Sequence, residues 1–302
     1  MMLIDKSKAL NMNSRRYAMR SVRKESISIY HVDAFTKVPF KGNPAAVCIL
    51  QKRYEDVVLQ SIASEMNLSE TAFPYALEKK PLKDTRIFSL RWFTPTTEVP
   101  LCGHATLATA AVLFCDIDMS ADEITFKTKS GELSAKRNGK GICLDFPSNE
   151  AKKINAPKEL IEAVGVADLK NAAYDERTKT LLIHLYREEE VRNLKPNFEL
   201  MKTAKAREEI TGIIVTAQGK PPYDFVSRFF APWLGINEDP VTGAAHTVLG
   251  PYWSRILQKK EMLAFQASER GGELTVRLRS NERVDLIGNA VIILKGELHL
   301  TS

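Results

Sequence analysis

Hydrophobic and polar positions alternate along much of this chain with a period of two, in short bursts rather than long runs. Phe88, Leu90 and Trp92 share one face, with Ser89 and Arg91 between them; Leu274, Val276 and Leu278 repeat the pattern late in the chain. Such alternation places apolar side chains on one side of a strand. It predicts strands over 27–34, 45–50, 71–77, 87–93, 124–129 and 142–146 in the first half. In the second half it predicts 180–186, 210–216, 223–230, 262–267, 274–278 and one long strand over 284–294. Helical spacing is rarer, at 55–66, 103–114, 157–164 and 244–257, with Pro157 suited to a first helical position.

The two halves match each other. Phe88-x-x-Arg91-Trp92-Phe93-Thr94-Pro95 returns as Phe225-x-x-Arg228-Phe229-Phe230-Ala231-Pro232. Gly103, opening an Ala-rich helix, pairs with Gly243, and Gly131-Glu132-Leu133 pairs with Gly272-Glu273-Leu274. Three matches in one order, at offsets of 137, 140 and 141, point to a duplicated lobe, since solenoid periods are shorter. The boundary falls near 149–157, where Asn, Pro and charge replace the alternation. The expected division is a basic extension over 1–26, a first lobe over 27–150 and a second over 151–302, with the last strand a candidate to return to the first lobe. Residues 103–114 read GHATLATAAVLF, apolar or small on nearly every face, and such a helix must be buried all round. A curved sheet wrapped about one such helix in each lobe satisfies this. Both helices start at a glycine, and their N-termini, rich in free N–H groups, would suit a carboxylate if they met between the lobes.

Length and composition narrow the classes. At 302 residues, two lobes are expected, and 44% hydrophobic with 26% charged residues excludes a disordered, collagenous or coiled-coil chain. The longest uncharged apolar stretch, 101–115, falls short of the roughly 20 residues a membrane span needs. The net charge of +6 resides mostly in residues 1–26, where Lys6, Lys8, Arg15, Arg16, Arg20, Arg23 and Lys24 face only Asp5 and Glu25. The remaining chain is nearly neutral, unlike a dedicated nucleic-acid binder. The extension reads as a solvated tail or as an Arg/Ser-rich organelle-targeting segment. No apolar signal core follows it, so the cytoplasm is the expected location, with an organelle as the alternative. Cys48, Cys102, Cys115 and Cys143 form no C-x-x-C pair, which argues against structural zinc. Three of them (Cys48, Cys115 and Cys143) lie in apolar runs and read as buried free thiols of a reducing compartment.

Five motifs in register then make the chain recognisable: His31-Val-Asp-Ala-Phe35, Phe40-Lys-Gly-Asn-Pro-Ala-Ala-Val47, Asn67-Leu-Ser-Glu-Thr-Ala-Phe73, Pro100-Leu-Cys-Gly-His-Ala105 and Glu238-Asp-Pro-Val-Thr-Gly243. Over about 27–302 the chain resembles the phenazine-biosynthesis-like isomerase family, relatives of diaminopimelate epimerase. The resemblance implies an α+β fold of two pseudo-symmetric lobes, each a curved, barrel-like sheet around a central helix. It also implies a cofactor-independent isomerase that moves a proton between carbons of a small carboxylate-bearing metabolite, without a metal, and is compatible with a homodimer.

Individual residues carry more than one reading. An acid among Leu68, Ala72 and Phe73 is costly to bury charged, which suits a proton shuttle, though a surface acid fits the sequence too. The resemblance makes Glu70 the general acid/base. His104, at the helix start, is a core or capping residue on sequence alone; the helix dipole disfavours its cation, so a neutral hydrogen-bond partner is expected. The resemblance puts it beside the substrate. Asp239 opens an Asp-Pro turn, and the resemblance makes it a ligand-orienting carboxylate. Gly103 and Gly243 would offer backbone N–H groups, with Asn43 a weaker contact. Ala244, counted with the substrate-binding positions, stands where many family members carry serine, so a hydroxyl donor to substrate is lost if the relatives use it; His246, two residues on, reads as helix-face packing, with compensation for that hydroxyl as the alternative. Two rivals stay open. One is a non-catalytic binding or scaffold protein on the same fold, supported by Ala244 and the basic tail. The other is an epimerase using Cys102, a thiol that a helix N-terminus can acidify, although 238–243 holds no second thiol. Phosphate-loop, dinucleotide, zinc-protease and serine-elbow motifs are absent.

Overall fold

Among the described residues apolar alternation becomes seventeen strands joined in one continuous sheet, and most of the helices fall where parallel strands must be connected. The structure is a computed structural model that describes residues 24–139 and 141–301. The basic extension up to residue 23 lies outside the described residues. Residues 24–26, assigned to that extension above, instead begin the strand Lys24–Ala34.

The sheet divides into halves of one design. In spatial order the first lobe contains Ala290–Thr301, Lys24–Ala34, Asn43–Ile49, Glu70–Ala76, Ile87–Phe93, Glu123–Thr128, Gly131–Asn138 and Gly141–Pro147, with the two-residue strand Glu98–Val99 also pairing along Ile87–Phe93. The second contains Lys152–Lys153, Asn171–Asp175, Thr180–His184, Gly212–Gln218, Phe225–Phe230, Glu261–Gln266, Gly272–Leu278 and Arg283–Gly288. Successive pairs in the first lobe run antiparallel, antiparallel, parallel, antiparallel, parallel, antiparallel, antiparallel. The second lobe repeats that series without exception. The lobes join where Gly141–Pro147 pairs with Arg283–Gly288.

Parallel neighbours need a crossover, and helices supply it. Asp56–Met66 serves the first parallel pair of the first lobe; Glu188–Asn193 and Phe198–Thr203 serve its counterpart. The second crossover in each lobe is the central helix, Gly103–Ala111 and Gly243–Leu257. Residues 104–111 are all buried. One apolar cluster takes in Leu107 of the first helix, Leu249 and Trp253 of the second, and Phe88, Trp92 and Phe126 from the sheet. Outer helices bury the other sheet face, with Leu59 and Ile62 against Cys48 and Phe73, and Leu160 and Met201 against Ile213 and Val226.

Several expectations change. The strand over 284–294 breaks at Asn289, where the chain leaves the second lobe and pairs along Lys24–Ala34. Gly288 marks the crossing: a Cβ there would lie 2.6 Å from the Phe35 ring and 2.9 Å from Leu107. Gly131–Asn138 is a strand the alternation did not reveal, because only Leu133 and Ala135 are buried along it. The first central helix changes to a π turn at Val112–Asp116, and Pro157 is an N-cap, not a first helical residue. Cys48 and Cys102 are buried, but Cys115 is exposed and Cys143 half-buried, so two of the three expected buried thiols are not. Among the described residues no helix is long and apolar enough to cross a membrane.

Candidate active site

The central helices meet N-terminus to N-terminus. A Cβ built on Gly103 would lie 3.3 Å from the Gly243 Cα, and one on Gly243 equally close to Gly103. A side chain at either position would press the other helix start back by a few tenths of an ångström, so glycine at both favours the close approach. Both first turns therefore present their N–H groups and partial positive charge at one junction between the lobes.

The same buttress holds each helix start. In the first lobe, Arg91 grips Glu98 through Nε–Oε1 at 2.8 Å and Nη2–Oε2 at 2.8 Å. In the second, Arg228 grips Glu238 at 2.7 and 2.8 Å. Each glutamate lies five residues ahead of its helical glycine. The repeat exposed both arginines, but their partners went unnoticed; the equal spacing of Glu98 and Glu238 was the available signal. Two parallel bonds fix the plane of each side chain, so each loop arrives in a defined register.

Around the junction the structure brings together Asn43, Glu70, His104 and Asp239. Glu70 opens its strand just after Asn67, which ends the preceding helix in a left-handed conformation (φ 49°). Its Oε2 lies 3.1 Å from Nε2 of His104, close enough for an ion pair. Both atoms are buried, and neither has an aligned hydrogen bond. On the other ring edge, Nδ1 lies 3.2 Å from Asn43 Nδ2 and 3.5 Å from Cys102 Sγ. Asn43 Nδ2 also donates to Asp239 Oδ1 at 2.8 Å and to the Val241 carbonyl at 2.9 Å. Asp239 and Val241 take the two amide hydrogens, so the approach to Nδ1 of His104 is a contact and not a third hydrogen bond. Asp239 Oδ2 accepts from the Thr242 hydroxyl at 2.6 Å. Gln266, unnoticed in the sequence, donates to the Asp239 carbonyl at 2.7 Å and accepts from the Thr242 N–H at 2.8 Å. A chain of contacts therefore runs Glu70–His104–Asn43–Asp239, from one lobe to the other.

Electrostatics correct two expectations. Burial works against the His104 cation, but the Cys102 sulfur and the Glu70 carboxylate outweigh it and hold the imidazole well above its ordinary range. The neutral ring expected from the helix dipole loses to a carboxylate in direct contact. Burial also pushes the Cys102 thiol up, with Glu70 adding to the rise, so the helix N-terminus does not acidify it. Asp239 is pushed up to about 6 by burial, against the opposing pull of His104, the Thr242 hydroxyl and the Asn43 amide.

The remaining candidates fall into place around this chain. Ala244, second in its helix as His104 is in the other, is exposed. His246 is fully buried, stacks on Phe225 and contacts the Thr242 carbonyl through Nδ1, which makes it a core residue. Thr242, not a thiol, occupies the second-lobe position matching Cys102. Glu70, Cys102 and His104 do bring three donor atoms within 4.8 Å. Cys102 faces Nδ1, however, and Glu70 faces Nε2. Lone pairs on opposite ring edges diverge, so the set does not fit one ion.

Comparison with known proteins gives a consistent picture. The family profile described as phenazine biosynthesis-like protein (PhzC-PhzF) matches residues 32–296. Phenazine biosynthesis-like domain-containing protein 1 of Mus musculus is 49% identical over 284 residues, covering 90% of this chain and 99% of the relative. An uncharacterized isomerase of Halalkalibacterium halodurans is 50% identical over 276 residues, covering 90% of this chain and 98% of the relative. The crystal structure of a PhzF-family phenazine biosynthesis protein from Enterococcus faecalis is 42% identical, with a TM-score of 0.83 over 91% of this chain and 100% of that one. A hydroxyproline epimerase from Agrobacterium vitis, at 11% identity and a TM-score of 0.58 over 93% of this chain and 94% of that one, shares the fold alone.

Proposed function

The chain belongs to the phenazine biosynthesis-like family, and from that membership we propose a one-base isomerase whose proton carrier is Glu70. It is an enzyme of the isomerase type, acting without a cofactor on a small metabolite that bears a carboxylate. The substrate carboxylate lies against the abutting helix N-termini, where N–H groups and dipoles favour an anion. Glu70 takes a proton from one carbon of an activated substrate. The C–H electron pair enters the substrate's conjugated system, and Glu70 then delivers a proton, exchangeable with solvent while it resides on the carboxyl, to another carbon. His104, favoured as a cation by the adjacent Glu70 carboxylate, steadies the negative charge that develops, and Asp239 orients the substrate from the second lobe.

One observation carries this reading. Glu70 Oε2 and His104 Nε2 are buried 3.1 Å apart without aligned hydrogen bonds, at the end of a contact chain reaching an acid of the other lobe. Buried polar atoms without an aligned hydrogen bond are costly, and a bound substrate would offer these two well-directed partners. A Cys102-dependent epimerase is less favoured, since its opposing base would have to be Thr242. The test is incubation of the protein with metabolite extracts in heavy water, read by mass spectrometry. A carboxylate-bearing metabolite gaining one deuteron supports the proposal; extracts that gain none, with correctly folded protein, contradict it.

A further inference from the structure

Arg270 lies between the second-lobe strands Glu261–Gln266 and Gly272–Leu278, yet its side chain grips the first lobe. Nη2 reaches Asp33 Oδ1 at 2.6 Å and the Lys41 carbonyl at 3.1 Å, and Nε reaches the Gly42 carbonyl at 2.8 Å. Asp33 is fully buried, and its other oxygen accepts from the Phe40 N–H at 2.7 Å. Backbone bonds add to the grip, from Gly42 N to the Gly271 carbonyl at 2.7 Å and from Glu273 N to the Phe35 carbonyl at 3.0 Å. Gly42 adopts φ +68°, where a Cβ would lie 2.1 Å from the Ala34 carbonyl oxygen, so the turn tolerates little variation. The next residue is Asn43, whose amide links the site across the lobes.

A buried ion pair gives little net stability, because desolvation consumes most of its Coulomb gain; its best use is to fix a geometry. We propose that Arg270 is a positioning residue, which clamps residues 33–42 to the second lobe and thereby sets the Asn43 amide between His104 and Asp239. It acts through Gly42 and Asn43. The forked guanidinium matters because three acceptors at different angles are held at once, which an ammonium group does not reproduce. The inference rests on reading Asn43 and Asp239 as parts of the site, and its test needs no turnover.

The readout is the titration of the Asp239 carboxyl, followed by carbon-13 NMR. The titratable groups facing it are His104 and Glu70, and its neutral donors are the Asn43 amide and the Thr242 hydroxyl. Asn43 helps to hold the carboxyl down, so a displaced amide lets the midpoint climb above about 6. Arg270→Lys keeps the charge and loses the fork. Its Asp239 midpoint is expected to rise by about half a pH unit or more, in the direction set by an Asn43→Ala reference. If Arg270→Lys fails to fold, the double variant Asp33→Asn with Arg270→Gln, which strands no buried charge, is read the same way. A folded variant whose Asp239 titrates as in the parent, beside a shifted Asn43→Ala, overturns this proposal alone. An unshifted Asn43→Ala overturns it together with the Asn43–Asp239 link beneath it. Failure of both Arg270 variants to fold makes Arg270 a scaffold residue and also overturns it.

Discussion

Asp239 shows how one side chain ties the site to stability. Its carboxyl titrates near 6 in the folded chain, above an ordinary value of 3.8, because burial penalises the anion. The fold therefore binds the proton more tightly than the unfolded chain does. Its contribution is fully present below about pH 4 and is lost as pH rises towards 6, after which the ionised carboxylate is carried as a cost. Asp239→Asn should remove that cost. Relative to the parent, the variant should gain stability as pH climbs from 4 to 6, by about 2 kcal/mol, and then level off; urea unfolding at several pH values measures this. His104 teaches a related point about legibility. Its sequence neighbours suggested a neutral ring at a helix start, whereas its charge is decided by Glu70, which reaches it only through the fold. Motifs can name such residues; their charge states depend on contacts distant in sequence.

Elements were legible where burial is one-sided or complete. Ile87–Phe93 alternates between buried and half-buried positions, and its limits match those read from the sequence. Gly131–Asn138, Asn171–Asp175 and the short helices Glu188–Asn193 and Phe198–Thr203 lack enough buried apolar positions to announce themselves. The central helices announced their burial but not how closely they approach. Gly103→Ala tests that approach, since the added methyl carbon would sit 3.3 Å from the Gly243 backbone and push the helix starts apart by tenths of an ångström. The expected result is about 1–3 kcal/mol lost in urea unfolding. Turnover of a metabolite labelled by the parent should drop at least about tenfold, because small misplacements at a reacting centre are expensive.

For the whole molecule, the duplication in sequence reappears as one series of strand senses in each lobe, yet the site is not symmetric. The first lobe contributes Glu70 and His104, the second Asp239 and the exposed Ala244. The lobes also share one apolar cluster, and the last strand of the chain pairs with the first described one. Unfolding should consequently appear as a single calorimetric transition; two resolved transitions would show that the lobes are energetically separate. The central claim is that Glu70 itself carries the hydrogen, and Glu70→Gln tests it most directly, in heavy water with a metabolite that the parent labels. The account predicts deuteron uptake slowed by about a thousandfold in a variant that still folds cooperatively. Uptake at the parent's rate by the folded variant would contradict it.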